Sequence, residues 1–137
     1  MSTELKDKIE VNIKKRDITP RSIYQTIKNS FNGIKCYASD GKSFIMFIVG
    51  VILETIMGFV YHINGLEWIL IICILGITLA VELLNTGIEA VSDAVTKEYN
   101  SYIKIAKDCG SAATFIIVIV AIILNIIIFL PKVVALF

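Results

Sequence analysis

Three long apolar segments dominate the chain, at residues 44–63, 66–84 and 111–130. Each is apolar on every side of a helix and has close to the ~20 residues that a helix needs to cross a hydrocarbon core of ~30 Å. A short turn at Asn64-Gly65 separates the first two segments, and Pro131 follows the third, where we expect that helix to end. The pattern predicts three transmembrane helices, with a polar helical segment at 85–110.

The segment from residue 20 to residue 39 has another pattern. Ile23, Ile27, Phe31 and Ile34 recur at three- and four-residue steps, with lysines on the opposite side. This spacing predicts an amphipathic helix in the membrane interface, with its cations towards anionic headgroups. A helix packed on a partner protein is the alternative. Residues 1–19 form a polar N-terminal arm, so the predicted fold is an all-α membrane domain over residues 20–137.

The distribution of charge predicts how the chain crosses the membrane. Nine Lys or Arg residues precede the first span, three lie in 85–110, and the turn between spans one and two has none. By the positive-inside rule the N-terminus and the 85–110 segment are cytoplasmic and the C-terminus lies outside. We therefore expect a multi-pass protein of the plasma membrane. The net charge of +1 does not suggest a nucleic-acid partner.

One face of the second span carries candidate chemistry. Glu82, Asn85, Glu89 and Asp93 are three, four and four residues apart, so they share one side of a helix. Glu82 ends an apolar run, and an acid at that depth is a functional candidate. The alternative is that the span simply ends there and the acids are solvated.

Phosphoryl transfer to a lipid alcohol fits these residue types. It needs oxygen ligands for Mg²⁺, a cation for the phosphates and a base for the attacking hydroxyl. Glu82, near the hydrocarbon boundary, is placed to be the base, while Glu89 is nearer water and Mg·ATP. Lys107 and Asp108 lie just before the third span, which begins at Ser111. No P-loop or protein-kinase glycine-rich loop is present.

Glu54 is a second acid inside an apolar span. A lone carboxyl at this depth is typical of a proton-coupled site or of a hydrogen bond across an oligomer interface. It therefore supports an alternative function, a small oligomeric transporter.

Two sequence patterns then indicate a family. They are E-x-x-N-x-x-x-E-A-V-x-D at 82–93 and A-K-D-x-G-S-A-A at 106–113. With Glu98-Tyr99 between them, they closely resemble the prokaryotic diacylglycerol kinase and undecaprenol kinase family. The Phe129-Leu-Pro-Lys132 ending is similar to the Gram-positive branch, in which undecaprenol is the usual substrate.

The resemblance implies a homotrimeric lipid kinase that uses ATP and Mg²⁺, with active sites between neighbouring subunits. It implies that Glu82 is the general base and Glu89 a metal ligand. It also implies supporting or lipid-side positions at Asn85 and Ser111. The nucleotide contacts that it implies are Glu89, Glu98, Tyr99, Asn100, Lys107 and Asp108.

The chain departs from the family pattern before the first span. Gly41 occupies the position of a second metal-binding glutamate, and Asp40 is the nearest carboxylate that could replace it. Asn100 stands where the family usually has histidine, and Ser22, beside Arg21, where it has arginine. A catalytically weakened relative is therefore a further alternative, and the choice between undecaprenol and diacylglycerol stays open.

Overall fold

The computed structural model describes residues 22–39 and 41–136, which form four α-helices and no strand. The N-terminal arm, Arg21 and Asp40 lie outside the described residues. The helices are α1 (Ile23–Ser39), α2 (Lys42–Val60), α3 (Gly65–Val95) and α4 (Ser101–Val134). The last three are long and apolar enough to cross a membrane. The predicted fold class, three transmembrane helices preceded by an amphipathic one, is confirmed.

The first of two compact units ends at Asn32, and its described part is Ser22 with the first turns of α1. The Ser22 hydroxyl accepts a hydrogen bond from the Gln25 amide at 3.2 Å, which is the pattern of an N-cap. Ile23, Ile27 and Phe31 are exposed and lie four residues apart, on one side of the helix. Placement of this stripe in the membrane interface stays a prediction.

The second unit is held together at the end that carries the α2–α3 turn. We call this the turn end: residues 58–71 together with residues 128–132. Asn64 caps α3 through a capping box, in which its side chain accepts from the Glu67 amide and Glu67 accepts from the Asn64 amide. Glu67 also pairs with Lys132 of α4, at 3.0 Å. The apolar residues buried together at this end are Ile63, Ile71, Ile128 and Phe129.

Helices α3 and α4 continue past the membrane at their other end. They have 31 and 34 residues, so their lengths are about 46 Å and 51 Å, against about 30 Å of hydrocarbon. Because both are fastened at the turn end, the excess projects at the opposite end as a helical hairpin that breaks at residues 96–100. The predicted 85–110 segment is thus a continuation of both spans.

Two predicted helix ends differ from the structure. α2 ends at Val60, three residues before the predicted end of the span, because the chain turns at Tyr61 and His62. Pro131 was expected to end the third helix, but α4 continues to Val134. The proline ring removes only its own N–H donor, and the Pro131 carbonyl still accepts from the Ala135 amide at 3.1 Å.

Candidate active site

The candidate site lies where α3 and the first turns of α4 lie close together, at Asn85 and Gly110. We call this region the polar end: residues 82–93 of α3 and residues 104–111 of α4. A Cβ atom added at Gly110 would collide with the Asn85 side-chain oxygen, so any larger residue there would have to displace Asn85. Asn85 Oδ1 is buried and has no hydrogen-bond partner among the described residues. Asn85 is therefore an unsatisfied acceptor in the middle of the Glu82–Glu89 face.

Charged side chains gather on the water side of Asn85. Lys107 Nζ donates to Asp93 Oδ1 at 2.6 Å, which joins the two helices across the hairpin. The hydrogen bond that Lys107 donates to Asp93 raises the pKa of Lys107, and the charge of nearby Glu89 acts in the same direction. Lys104 pairs with Asp108 within α4, at 2.5 Å. Glu89, Asp93 and Lys107 therefore form one charged cluster outside the apolar part of the helices.

On the membrane side of Asn85, Glu82 and Ser111 line a cavity of about 530 Å³, here called the Glu82 cavity. Its volume is within the ~300–1,000 Å³ range of small-molecule sites. Most of its wall is apolar, and Glu54 lines it together with Ser111 and Ala121 of α4. Ten residues of helix rise about 15 Å, so the cavity runs that far along α4 into the hydrocarbon. This shape suits the chain of a lipid whose polar group is at Glu82.

The predicted nucleotide contacts at 98–100 lie in the break between α3 and α4. Tyr99 is 84% exposed and Glu98 is also exposed. Asn100 is the N-cap of α4, and its Oδ1 accepts from the amides of Tyr102 and Ile103 at 2.9 and 3.3 Å. Its acceptor oxygen is therefore engaged in starting the helix, and its amide nitrogen is the group left for a ligand.

The carboxylates present suit a metal ion that arrives with its nucleotide. Within 22–39 and 41–136 there is no group of three or more His, Cys, Asp or Glu side chains that could hold a metal alone. Mg²⁺ is usually bound by one or two carboxylates, with phosphate oxygens and water completing its shell. Glu89 fits that role. The expected second ligand, Asp40, lies outside the described residues, and Gly41 has φ +68°, a conformation that disfavours the family's glutamate there.

Sequence reasoning missed one contact inside the membrane. Asn125 of α4 donates to Glu54 of α2 at 3.0 Å. Asn125 is the single polar residue between Phe115 and Leu130, and this is the signal that could have identified it. Its pairing with Glu54 depends on how α2 and α4 lie against each other.

Comparison with known proteins identifies the family. The family model of prokaryotic diacylglycerol kinases matches residues 28–129. The undecaprenol kinase of Bacillus subtilis (strain 168) is 28% identical over 109 residues, which are 80% of this chain and 89% of that protein. The diacylglycerol kinase of Escherichia coli (strain K12) is 33% identical over 94 residues, which are 69% of this chain and 77% of that protein. The chain thus belongs to the prokaryotic diacylglycerol kinase family and is a multi-pass membrane lipid kinase.

Proposed function

We propose that this kinase transfers the γ-phosphoryl group of Mg·ATP to a prenol-type lipid alcohol, with undecaprenol preferred to diacylglycerol. The observation that carries the proposal is the Glu82 cavity, which joins a carboxylate at the membrane boundary to an apolar channel inside the membrane. A charged cluster suited to nucleotide phosphates lies one to two helical turns away on the water side.

Glu82 would act as the general base. The lipid hydroxyl enters the cavity beside Glu82 and Ser111, and its proton passes to the Glu82 carboxylate as the oxygen attacks the γ-phosphorus. The new P–O bond forms as the bond to the β-phosphate oxygen breaks, and ADP leaves. Asn85, with its unsatisfied oxygen, would hold a donor group of the bound substrates between the two sides.

The nucleotide would bind at the water side of the same face. Lys107 neutralises phosphate charge as a point cation, and Asp93 and Glu89 raise its pKa further above neutral pH. Glu89 would hold Mg²⁺, which, when bound, neutralises charge on the phosphates. Asp108 would contribute at the phosphates, and the exposed loop residues Glu98, Tyr99 and Asn100 would contact the rest of the nucleotide.

Two observations favour undecaprenol over diacylglycerol. The relative that covers the larger share of this chain is named an undecaprenol kinase. The threonine hydroxyls lining the cavity, Thr78 and Thr114, already donate to carbonyls of their own helices, at 2.8 and 3.3 Å. Ester oxygens accept hydrogen bonds but cannot donate them, so the two esters of diacylglycerol would have only the hydroxyls of Ser43 and Ser111 as side-chain donors among the described lining residues. A prenol chain needs none.

The functional assembly that we propose is a homotrimer with its polar end in the cytoplasm. The resemblance implies the trimer. Helix α2 suits this assembly, since Gly58 is its one buried residue and most of its apolar side chains are uncovered. The excess of Lys and Arg before the first span supports a cytoplasmic N-terminus and a C-terminus outside.

Transfer of labelled phosphate tests the proposal. The purified full chain in micelles should label undecaprenol from γ-³²P-ATP faster than it labels dioleoylglycerol, and chelation of Mg²⁺ should abolish both reactions. Calorimetry should show Mg-dependent ATP binding. A chain that labels neither lipid contradicts the kinase mechanism, and a chain that prefers dioleoylglycerol contradicts only the choice of lipid.

A further inference from the structure

The Glu54–Asn125 pair is a polar site inside the membrane that the proposed reaction does not use. Glu54 lies twelve residues after Lys42, the first residue of α2, which is about 18 Å along the helix. Asn125 Nδ2 donates to Glu54 Oε1 at 3.0 Å and to the Ala121 carbonyl at 2.9 Å. An amide nitrogen has two hydrogens, so both donors of Asn125 are used.

Two acceptor atoms of the pair are not used. Glu54 Oε2 is buried and has no hydrogen-bond partner among the described residues. Within the same part of the chain, Asn125 Oδ1 also receives no hydrogen bond. A buried polar group without a partner is costly in hydrocarbon, because water cannot satisfy it there. The pair therefore has capacity for a ligand that brings a hydrogen-bond donor.

The pair also lies between two cavities. Glu54 lines the Glu82 cavity, and Glu54 and Asn125 together line a second cavity of about 480 Å³ that extends to Phe129. Gly50, beside Glu54 on the helix, lines both. The terminal torsion of glutamate is broad, so the carboxyl can adjust its orientation between the two cavities. A molecule that passes from the second cavity into the Glu82 cavity would meet this carboxyl before it reaches Glu82.

We propose that Glu54 and Asn125 form a second binding site for the hydroxyl of a prenol-type lipid alcohol, on the path to Glu82. A hydroxyl donates to Asn125 Oδ1 or to Glu54 Oε2. The rest of such an alcohol is hydrocarbon, which the apolar cavity walls accept. This inference rests on the proposed function, because it names the same substrate class at an earlier position.

Diacylglycerol does not meet the requirement of this site. Its hydroxyl comes with two ester groups that accept hydrogen bonds but do not donate them. Since the amide hydrogens of Asn125 are already used, those esters would be buried without partners. The site therefore selects an alcohol that has one hydroxyl and no other polar group.

Photolabelling without nucleotide tests the site apart from catalysis. A farnesol analogue with a diazirine beside its hydroxyl carbon is bound to the full chain in lipid nanodiscs, and labelled residues are mapped by mass spectrometry. In the native chain we expect label near Ser111 and near Asn125. In Glu54→Leu the label near Asn125 should fall at least fivefold, while the label near Ser111 stays and shows that the fold is intact.

Two control variants make the test specific. Glu54→Gln keeps a carbonyl for Asn125 and an amide donor for the ligand, so it should retain most of the label near Asn125. Thr55→Val removes a hydroxyl at the same depth, but one that donates to its own helix at Val51 and lines neither cavity, so both labels should remain. A matched photoreactive diacylglycerol should label only near Ser111.

The outcomes separate this inference from the proposed function. Absence of label near Asn125 in the native chain, or a label there that Glu54→Leu leaves unchanged, overturns the second site. Strong diacylglycerol label near Asn125 overturns its selectivity for prenols. Failure of the native chain to phosphorylate any prenol would instead contradict the proposed function, whatever the photolabel shows.

Discussion

The two ends of the transmembrane unit are stabilised by different interactions. At the turn end, the buried residues Ile71 and Phe129 pack together, and Glu67 is satisfied by the Asn64 amide and by Lys132. At the polar end, Asn85 Oδ1 is buried beside Gly110 without a partner among the described residues, and Glu82 lines an open cavity. The turn end has paired the charge of Glu67, whereas the polar end combines a buried acceptor without a partner and a cavity that a substrate can enter. Unsatisfied polar groups close to a cavity indicate where ligands bind.

The largest contrast should come from two glutamates on the same helix. Glu82→Gln at the polar end removes the proposed base, so the rate of lipid phosphorylation should fall by about 10²–10⁴-fold. Because the amide keeps the size of the side chain, the unfolding temperature should change little. Phosphate transfer to undecaprenol in micelles measures the first effect and circular dichroism the second.

The matched variant at the turn end is Glu67→Gln. It weakens the capping box and the ion pair with Lys132, so it should lower the unfolding temperature and leave the catalytic rate within about threefold of native. A Glu82→Gln enzyme as active as native would remove Glu82 from the mechanism. A Glu67→Gln enzyme with a native unfolding temperature would show that these contacts do not stabilise the turn end.

The fold illustrates what the sequence could predict and what it could not. The three spans followed from apolar runs, and the Glu82–Glu89 face followed from helical spacing, because both depend on residues close in sequence. The Glu54–Asn125 contact joins residues 71 positions apart and depends on where α2 and α4 lie relative to each other. Local sequence patterns do not specify that placement, so only the structure reveals the contact.

The predicted helix ends show the same limit of local sequence patterns. Pro131 is a strong local signal for a helix end, yet α4 passes through it, since a proline near a terminus costs few hydrogen bonds. Gly110 was predicted only as one position of the A-K-D-x-G-S-A-A pattern at 106–113. Its specific role beside Asn85 depends on the register between α3 and α4.

Two glycines offer a contrast of intermediate size. Gly110→Ala at the polar end would push into Asn85, and Gly58→Ala at the turn end would meet the Trp68 ring at 2.6 Å. Each should lower the free energy of unfolding by about 1–3 kcal/mol, the usual cost of overpacking. Only Gly110→Ala should also slow phosphorylation, by about tenfold or more, because it displaces Asn85 from the Glu82–Glu89 face. Steady-state kinetics and urea unfolding in micelles measure the two effects.

Gly87→Ala is the control for both glycines. It lies on α3 with nothing within 4 Å of the added Cβ, so it should be neutral or should stabilise the helix by up to about 1 kcal/mol. Equal losses of activity in Gly110→Ala and Gly58→Ala would mean that activity follows global stability. In that case the distinction between the two ends would not hold.

The smallest effects should come from the ion pair at the polar end, and they separate a ligand contact from a structural one. Lys107→Gln removes the proposed phosphate cation and should raise KM for ATP about tenfold, with a weaker effect at high salt. Asp93→Asn removes only the partner of Lys107, a side chain that is 70% exposed. The unfolding temperature should therefore change little, and kcat should stay within about twofold of native. If Asp93→Asn raised KM as much as Lys107→Gln does, Lys107 would depend on Asp93 for its position. If neither variant changed KM, the phosphates would bind elsewhere on the Glu82–Glu89 face.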